Sequence, residues 1–149
     1  MNMSSGFGDR VMTSVLIDTN IIIDVFGLET SFKDWSSDAI LTLKPDAQFI
    51  LSPIVWAELA GLMPSEDALA QTLSRLNPTR EALPFSAAYQ AGIAHQRYRR
   101  AGGQRERTLP DFLIGAHAQA RGHRLLTRDA ARYRSYFPAL DIISPETHP

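Results

Sequence analysis

The stretch Ser-Val-Leu-Ile-Asp-Thr-Asn at residues 14–20 joins a short apolar run to two polar side chains, Asp18 and Asn20. The run at 14–17 predicts a buried strand, and the residues from Thr19 to Phe26 have the apolar spacing of a helix. A strand that passes directly into a helix is the repeating unit of a parallel α/β sheet. The stretch therefore predicts that Asp18 lies at the carboxyl end of a sheet strand.

Short apolar runs and helical patterns continue to alternate through the rest of the chain. Further strands are predicted at 48–51, 81–84, 124–127 and 140–143, and further helices at 35–43, 52–61, 65–76, 86–101, 108–121 and 129–136. This order predicts a three-layer α/β/α domain around a mainly parallel sheet of four to five strands. The active site of such a sheet lies beyond the carboxyl ends of its strands.

Length and composition indicate one globular domain. The chain has 149 residues, a net charge of -1, 44% hydrophobic residues and no cysteine, which excludes thiol nucleophiles, thiolate metal sites and disulfide scaffolds. We expect a flexible leader at 1–13, the domain at 14–145 and a short tail at 146–149. Because the apolar stretches are too short for a membrane span or a signal peptide, a cytoplasmic location is predicted.

The charge is unevenly distributed along the chain. Residues 97–134 contain ten arginines and three acids, whereas residues 1–96 contain five basic and eleven acidic side chains. Guanidinium groups pair well with phosphate, so the arginine-rich segment suggests an anionic partner. The alternative interpretation is an ordinary solvated face.

Four acids fall at or near the predicted carboxyl edge of the sheet. Asp18 and Asp129 follow strands, Asp111 begins a helix, and Glu58 shares with Ile54 a helix face that we expect to be largely inward. Taken singly, the three aspartates could simply cap helices, Asp111 with Thr108 as a capping box, and Glu58 could be half exposed.

Taken together, the four acids suggest a metal site. Carboxylates that converge repel one another, which raises at least one pKa in the metal-free protein unless a cation neutralises them. Ligation by oxygen alone favours the hard cations Mg²⁺ and Mn²⁺ over zinc.

These motifs resemble a known family. They are, in order, Ile17-Asp18-Thr19-Asn20, Glu58 after Ser52-Pro53, Leu109-Pro110-Asp111 and Leu125-Leu126-Thr127-Arg128-Asp129. Their order and spacing resemble a PIN-domain ribonuclease over residues 14–145, and more narrowly the VapC toxins of bacterial type II toxin–antitoxin pairs.

The resemblance implies a function and a set of site residues. It implies an Mg²⁺- or Mn²⁺-dependent endoribonuclease that hydrolyses phosphodiester bonds in RNA and forms a homodimer inhibited by a cognate antitoxin. The residues that it implies are Asp18, Glu58, Asp111 and Asp129 as catalytic metal ligands, and Asn20 and Thr127 as residues that support them. We add Arg128, Arg107 and Arg105 as RNA-binding residues, and we expect Asp24 to face solvent.

Other classes of protein would require different residues in this sequence. A catalytically inactive PIN-fold module that binds RNA or acts as an adaptor should lack one of the acids, and none is missing. Receiver domains and haloacid-dehalogenase-like phosphatases require a lysine late in the chain, whereas the only lysines are Lys33 and Lys44. The four histidines form no pair with metal-ligand spacing, so we expect surface or supporting roles for them, at His95, His117, His123 and His148.

Overall fold

A computed structural model of the chain describes residues 12–27, 31–103 and 106–149. Its centre is a five-stranded sheet in which every neighbouring pair of strands is parallel. The strands are β1 (Thr13–Ile17), β2 (Ala47–Leu51), β3 (Thr79–Arg80), β4 (Arg124–Leu126) and β5 (Ile142–Ile143), and their order across the sheet is β3-β2-β1-β4-β5. The first strand is therefore central, as expected for a run that is apolar on both faces.

Helices connect these strands and complete a three-layer α/β/α architecture. They are α1 (Thr19–Phe26), α2 (Lys33–Leu43), α3 (Pro53–Leu59), α4 (Glu66–Leu73), α5 (Phe85–Arg100), α6 (Leu109–Arg121) and α7 (Ala131–Arg134). Local sequence explains their starts, because the Ser52 side chain accepts a hydrogen bond from the Ile54 N–H and Pro53 occupies the first helical position. The predicted fold class is confirmed.

One predicted strand is wrong. The edge strand β3 is Thr79–Arg80, and residues 81–84 are not a strand. The Glu81 N–H still donates a hydrogen bond to the Leu51 carbonyl, but the chain then leaves the sheet. Pro84 has no N–H to donate to a neighbouring strand and instead precedes the first residue of α5.

The core requires one close approach at Gly115 on α6. A Cβ atom at this position would lie 2.5 Å from the ring of Phe137, so any larger residue would push the ring away. A glycine at this position therefore allows α6 to pack tightly against Phe137. This packing fixes the position of α6, whose first turn carries Asp111.

The C-terminal residues pack on the domain. Residues 1–11 of the predicted leader lie outside the described residues. The predicted tail at 146–149 contacts the domain, because the Trp35 indole donates to the His148 carbonyl and Arg134 pairs with Glu146. Within the described part of the chain, the helices are too short or too polar to cross a membrane.

Candidate active site

Asp18 follows the central strand β1 and lies beside the end of β4. Its N–H donates to the Leu126 carbonyl, which places it beside β4, and its Oδ1 accepts from the Thr19 N–H at 2.7 Å, which caps α1. The other oxygen, Oδ2, accepts from the Thr127 hydroxyl at 2.8 Å and the Tyr133 hydroxyl at 2.7 Å. The carboxylate is thus oriented by groups from three segments, namely α1, the loop after β4 and α7, and only 5% of the residue is exposed.

The buried position changes the acidity of Asp18. Burial raises the pKa of this carboxyl to about 6, against the opposing hydrogen bonds from Tyr133, Thr127 and Thr19, and the charge of Asp111 adds to the rise. The expected rise in a carboxyl pKa is present, but its largest cause is burial and not repulsion between like charges. The neighbouring Tyr133 has a pKa well above its ordinary value, because it is buried and faces Asp18.

Asn20 and Thr127 connect Asp18 to the loop that carries Asp129. The Asn20 amide nitrogen lies 3.3 Å from the Thr127 hydroxyl and 3.4 Å from Asp18 Oδ2, and its Oδ1 accepts from the Arg128 N–H. The Thr127 hydroxyl oxygen also accepts from the Asp129 N–H at 3.1 Å. Through these hydrogen bonds, Asn20 and Thr127 hold the Asp18 carboxylate and the loop that carries Asp129 next to each other.

Asp111 and Asp129 are joined by an arginine. Arg132 places Nε 2.7 Å from Asp129 Oδ2 and a terminal nitrogen 3.5 Å from Asp111 Oδ1. The second oxygen of Asp111 accepts from the Thr108 N–H at 3.1 Å, which caps α6. Asp111 is therefore both a helix cap and a member of the acidic cluster, because its two oxygens have different partners.

Sequence reasoning missed Arg132 and Tyr133. Burial alone would lower the pKa of Arg132, but the charges of Asp111 and Asp129 raise it above its ordinary value. A signal for the arginine was available, since it follows Asp129 by three residues, a spacing that brings side chains together on a helix. The contact between Tyr133 and Asp18 spans 115 residues and leaves no local signal.

Glu58 lies on the exposed side of its helix, so the expectation of a largely inward face is wrong. Ile54 is only partly buried and Leu62 is 57% exposed, and the Glu58 side chain faces solvent with them. Its Oε1 accepts a hydrogen bond from the Thr19 hydroxyl at 2.6 Å. Thr19 thus links Glu58 to the neighbouring Asp18.

The expectation that Asp24 faces solvent is also wrong. It is completely buried, accepts a hydrogen bond from the Ser36 hydroxyl at 2.7 Å, and pairs with Arg128 at 3.3 Å. It lies three residues after the buried Ile21, on the inward face of α1, where the tertiary structure supplies its partners. Arg128, one of the predicted RNA-binding residues, is consequently held by a buried charge.

Arg107, another predicted RNA-binding residue, contacts Ser135 and Tyr98. Arg107 donates to the Ser135 hydroxyl at 2.7 Å, and its guanidinium carbon lies 5.6 Å from the Tyr98 ring centre. Arg105 lies outside the described residues. Arg107 is partly exposed and borders a surface cavity of about 570 Å³ whose lining includes Thr108.

The donor set fits a hard divalent cation. Asp18, Glu58, Asp111 and Asp129 offer only oxygen, and no three of these acids have carboxylate oxygens within 4.8 Å of one another in the described residues. Mg²⁺ commonly takes one or two carboxylates and fills its remaining positions with water and substrate phosphate. The four carboxylates thus offer the oxygen ligands that such a cation prefers, and Arg132 balances part of the negative charge of Asp111 and Asp129.

Solved structures share this fold. The chain is similar to VapBC2 from Rickettsia felis bound to a promoter DNA fragment (19% identity, 89% of this chain and 98% of that one, TM-score 0.67). It is also similar to FitAcB from Neisseria gonorrhoeae (20% identity, 91% and 99% covered, TM-score 0.65). A third similar structure is a toxin–antitoxin complex from Klebsiella pneumoniae (26% identity, 88% and 97% covered, TM-score 0.63).

Sequence comparison gives the family. No curated protein matches the chain at a significant level. The family model described as PIN domain matches residues 15–137, which include the segments that carry Asp18, Glu58, Asp111 and Asp129. Because this match spans most of the chain and the sheet and helices agree with it, the chain belongs to the PIN-domain family.

Proposed function

We propose that this PIN-domain protein is a metal-dependent endoribonuclease and the toxin of a toxin–antitoxin pair. The observation that carries the proposal is the meeting of Asp18, Asp111 and Asp129, from three separate segments, around Arg132 and Tyr133. The buried Asp18 carboxylate beside Asp111 is costly for a folded protein, and among the described residues Arg132 pairs only with Asp111 and Asp129. A metal-dependent reaction accounts for these acids, because a bound metal would neutralise their charge.

The chemistry follows from where negative charge develops. Hydrolysis of a phosphodiester places charge on the attacking, leaving and non-bridging oxygens, and bound Mg²⁺ or Mn²⁺ supplies an activated water and stabilises that charge. In this proposal the four acids hold the metal, while Asn20 and Thr127 fix the Asp18 carboxylate. Arg132 lies where a guanidinium can pair with an RNA phosphate once a metal neutralises the carboxylates that it now contacts.

The proposal includes partners. The similar structures from Rickettsia felis and Klebsiella pneumoniae support a cognate antitoxin for this chain, since they are by name a VapBC assembly and a toxin–antitoxin complex. A homodimer and a cytoplasmic site of action belong to the same proposal. The arginine-rich segment supports a nucleic-acid substrate, because phosphates are the complementary charge, and RNA is the nucleic acid that the proposal names.

The chemistry of the cleaved ends tests the proposal. The purified chain is incubated with single-stranded RNA in Mg²⁺, in Mn²⁺ and in excess chelator. We expect cleavage only with metal, giving a 5′-phosphate and a 3′-hydroxyl, because water is the nucleophile. Products with 2′,3′-cyclic phosphate ends, formed equally in chelator, would contradict the mechanism. Binding without cleavage in any metal would favour the alternative, an inactive RNA-binding or adaptor module.

A salt titration tests the RNA-binding arginines. Arg107→Ala should reduce the slope of log affinity against log salt by about 0.7 for each phosphate that the variant no longer neutralises, because fewer counterions are released on binding. RNA affinity is measured by fluorescence anisotropy in chelator, so that cleavage does not interfere. Arg75→Ala is the matched control, since Arg75 is exposed but belongs to the acid-rich part of the chain. Equal slopes for all three proteins would assign Arg107 to an ordinary solvated surface.

A further inference from the structure

A second cluster of ionisable side chains lies apart from the four acids. It consists of Glu81 after β3, His117 on α6 and His123 directly before β4. Sequence spacing gave no indication of this cluster, because Glu81 is 36 residues from His117 and 42 from His123. None of its members contacts the residues assigned to RNA cleavage in the described part of the chain.

The three side chains converge on one oxygen atom. Glu81 Oε1 lies 2.8 Å from His117 Nε2 and 2.7 Å from His123 Nε2. The side chains of His117 and His123 are 0% and 6% exposed, and that of Glu81 is 17% exposed. The cluster is therefore nearly closed to solvent, with its remaining opening at the carboxylate.

Two further residues orient the cluster. His123 Nδ1 lies 2.7 Å from the Ser14 hydroxyl, so this ring is fixed with Nε2 toward Glu81. Arg121 lies 3.5 Å from Glu81 Oε2 and leaves Oε1 to the histidines. Polar groups in these positions are what metal-binding histidines and carboxylates commonly have behind them.

The ionisation states suit a metal ion. Burial lowers the pKa of His117, and its Nδ1 has no hydrogen-bond partner within the described residues, so a doubly protonated ring is disfavoured. Burial alone would raise the pKa of Glu81, but the hydrogen bonds from His123 and His117 bring it below its ordinary value. These shifts favour the ionised form of Glu81 and the neutral form of His117, which are the forms that ligate a metal ion.

We propose that Glu81, His117 and His123 form a zinc-binding site that is separate from the acidic active site. Two imidazole nitrogens and one carboxylate oxygen are a common ligand set for Zn²⁺, with water in the fourth position. Zn–N and Zn–O bonds of about 2.0–2.1 Å place tetrahedral ligand atoms roughly 3.3 Å apart. The donor pairs joined by Glu81 Oε1 need to separate by only about 0.5 Å to admit the ion.

A metal ion bound at this site would stabilise the fold. Its ligands come from the edge of the sheet, from α6 and from the residue before β4, so a bound ion would join three elements through direct bonds. Imidazole ligands favour Zn²⁺ over Mg²⁺, whereas the carboxylates of the active site favour Mg²⁺. The two sites should consequently respond to different metals.

Metal titrations of the purified, chelator-treated chain test this proposal. Co²⁺ replaces Zn²⁺ as a visible probe, and we expect the intense absorption bands of a low-coordinate cobalt ion with nitrogen ligands, which Zn²⁺ then abolishes. Zn²⁺ should also raise the thermal unfolding midpoint. Loss of a supporting residue typically weakens metal binding about 10–100-fold, so His123→Gln and Glu81→Gln should weaken it at least as much.

Control variants separate this site from the active site. Asp111→Asn should leave the cobalt spectrum unchanged, and so should His148→Gln, which removes an exposed histidine. Because a ligand variant could lose its fold, circular dichroism is recorded for each, and paramagnetically shifted histidine ring protons are sought in the wild type with Co²⁺. Absence of cobalt bands in the wild type, or an unchanged spectrum in folded Glu81→Gln, would overturn the proposal and leave a hydrogen-bonded cluster.

Discussion

Asp111→Asn should reduce RNA cleavage by roughly 10²–10³-fold or more while leaving the protein folded. The neutral amide is a poor ligand for Mg²⁺ and removes the charge that faces Arg132 at 3.5 Å. The fold should survive, because the amide oxygen can still accept the hydrogen bond from the Thr108 N–H that caps α6. The measurement is kcat/KM for a short RNA at saturating Mg²⁺, together with the free energy of unfolding of both proteins.

A matched substitution controls for charge. Asp141→Asn removes an aspartate that also pairs with an arginine, Arg124, at 2.9 Å, but lies outside the cluster and is 64% exposed in its side chain. It should retain wild-type cleavage. If Asp111→Asn kept full activity, Asp111 would be only a helix cap, and the proposed nuclease mechanism would lose one of its central residues.

The metal-free protein should be stabilised at acidic pH by the protonation of Asp18. Its pKa is about 6 in the folded state and 3.8 in the reference state, so the folded protein binds a proton first as pH falls. The gain begins as pH falls through about 6, is complete below 3.8, and amounts to about 3 kcal/mol at roughly 1.4 kcal/mol per pKa unit. At pH 7 the same carboxylate destabilises the metal-free fold.

Comparison with Asp18→Asn isolates this contribution. His117 acts in the opposite direction, because a folded-state pKa below the ordinary value makes the protein lose stability as pH falls. His117 is present in both proteins, so its contribution cancels in the difference between their free energies of unfolding. Between pH 7 and pH 3.5 the wild type should gain about 3 kcal/mol of stability relative to Asp18→Asn. Saturating Mg²⁺ should reduce the shift above pH 5, since a metal favours the ionised carboxylate. A pH-independent difference would show that Asp18 titrates normally.

Some features were predictable from the sequence because they depend on neighbouring residues. Ser52 and Pro53 are a common helix start when residues with the apolar periodicity of a helix follow them. Gly122 ends α6 with a φ of 70°, which glycine adopts without strain. The position of Asp18 at a strand end follows from an apolar run stopped by a charge. The prediction at 81–84 failed because an edge strand is defined by its partner, and only two residues align with β2.

In the candidate site, too, some features were predictable from neighbouring residues and others were not. Asp18 was predicted at the sheet edge because it directly follows β1, Asp129 because it comes shortly after β4, and Asp111 because it opens a helix. The exposure of Glu58 and the burial of Asp24 went against expectation, since a helical pattern gives the spacing of a face but not what packs on it. Asp24 is buried because Ser36 and Arg128 reach it from other elements.

The order of strands and helices along the chain, the parallel sheet and the edge that carries the four acids could be read from the sequence, because they follow from apolar periodicity and the direction of each strand. The partners of acids such as Asp18 and Glu81 are set instead by packing in three dimensions. Tyr133 meets Asp18 across 115 residues, and His123 meets Glu81 across 42. Contacts of this kind depend on the packing of side chains from distant segments, and a buried charge takes its partner from whatever the fold places beside it.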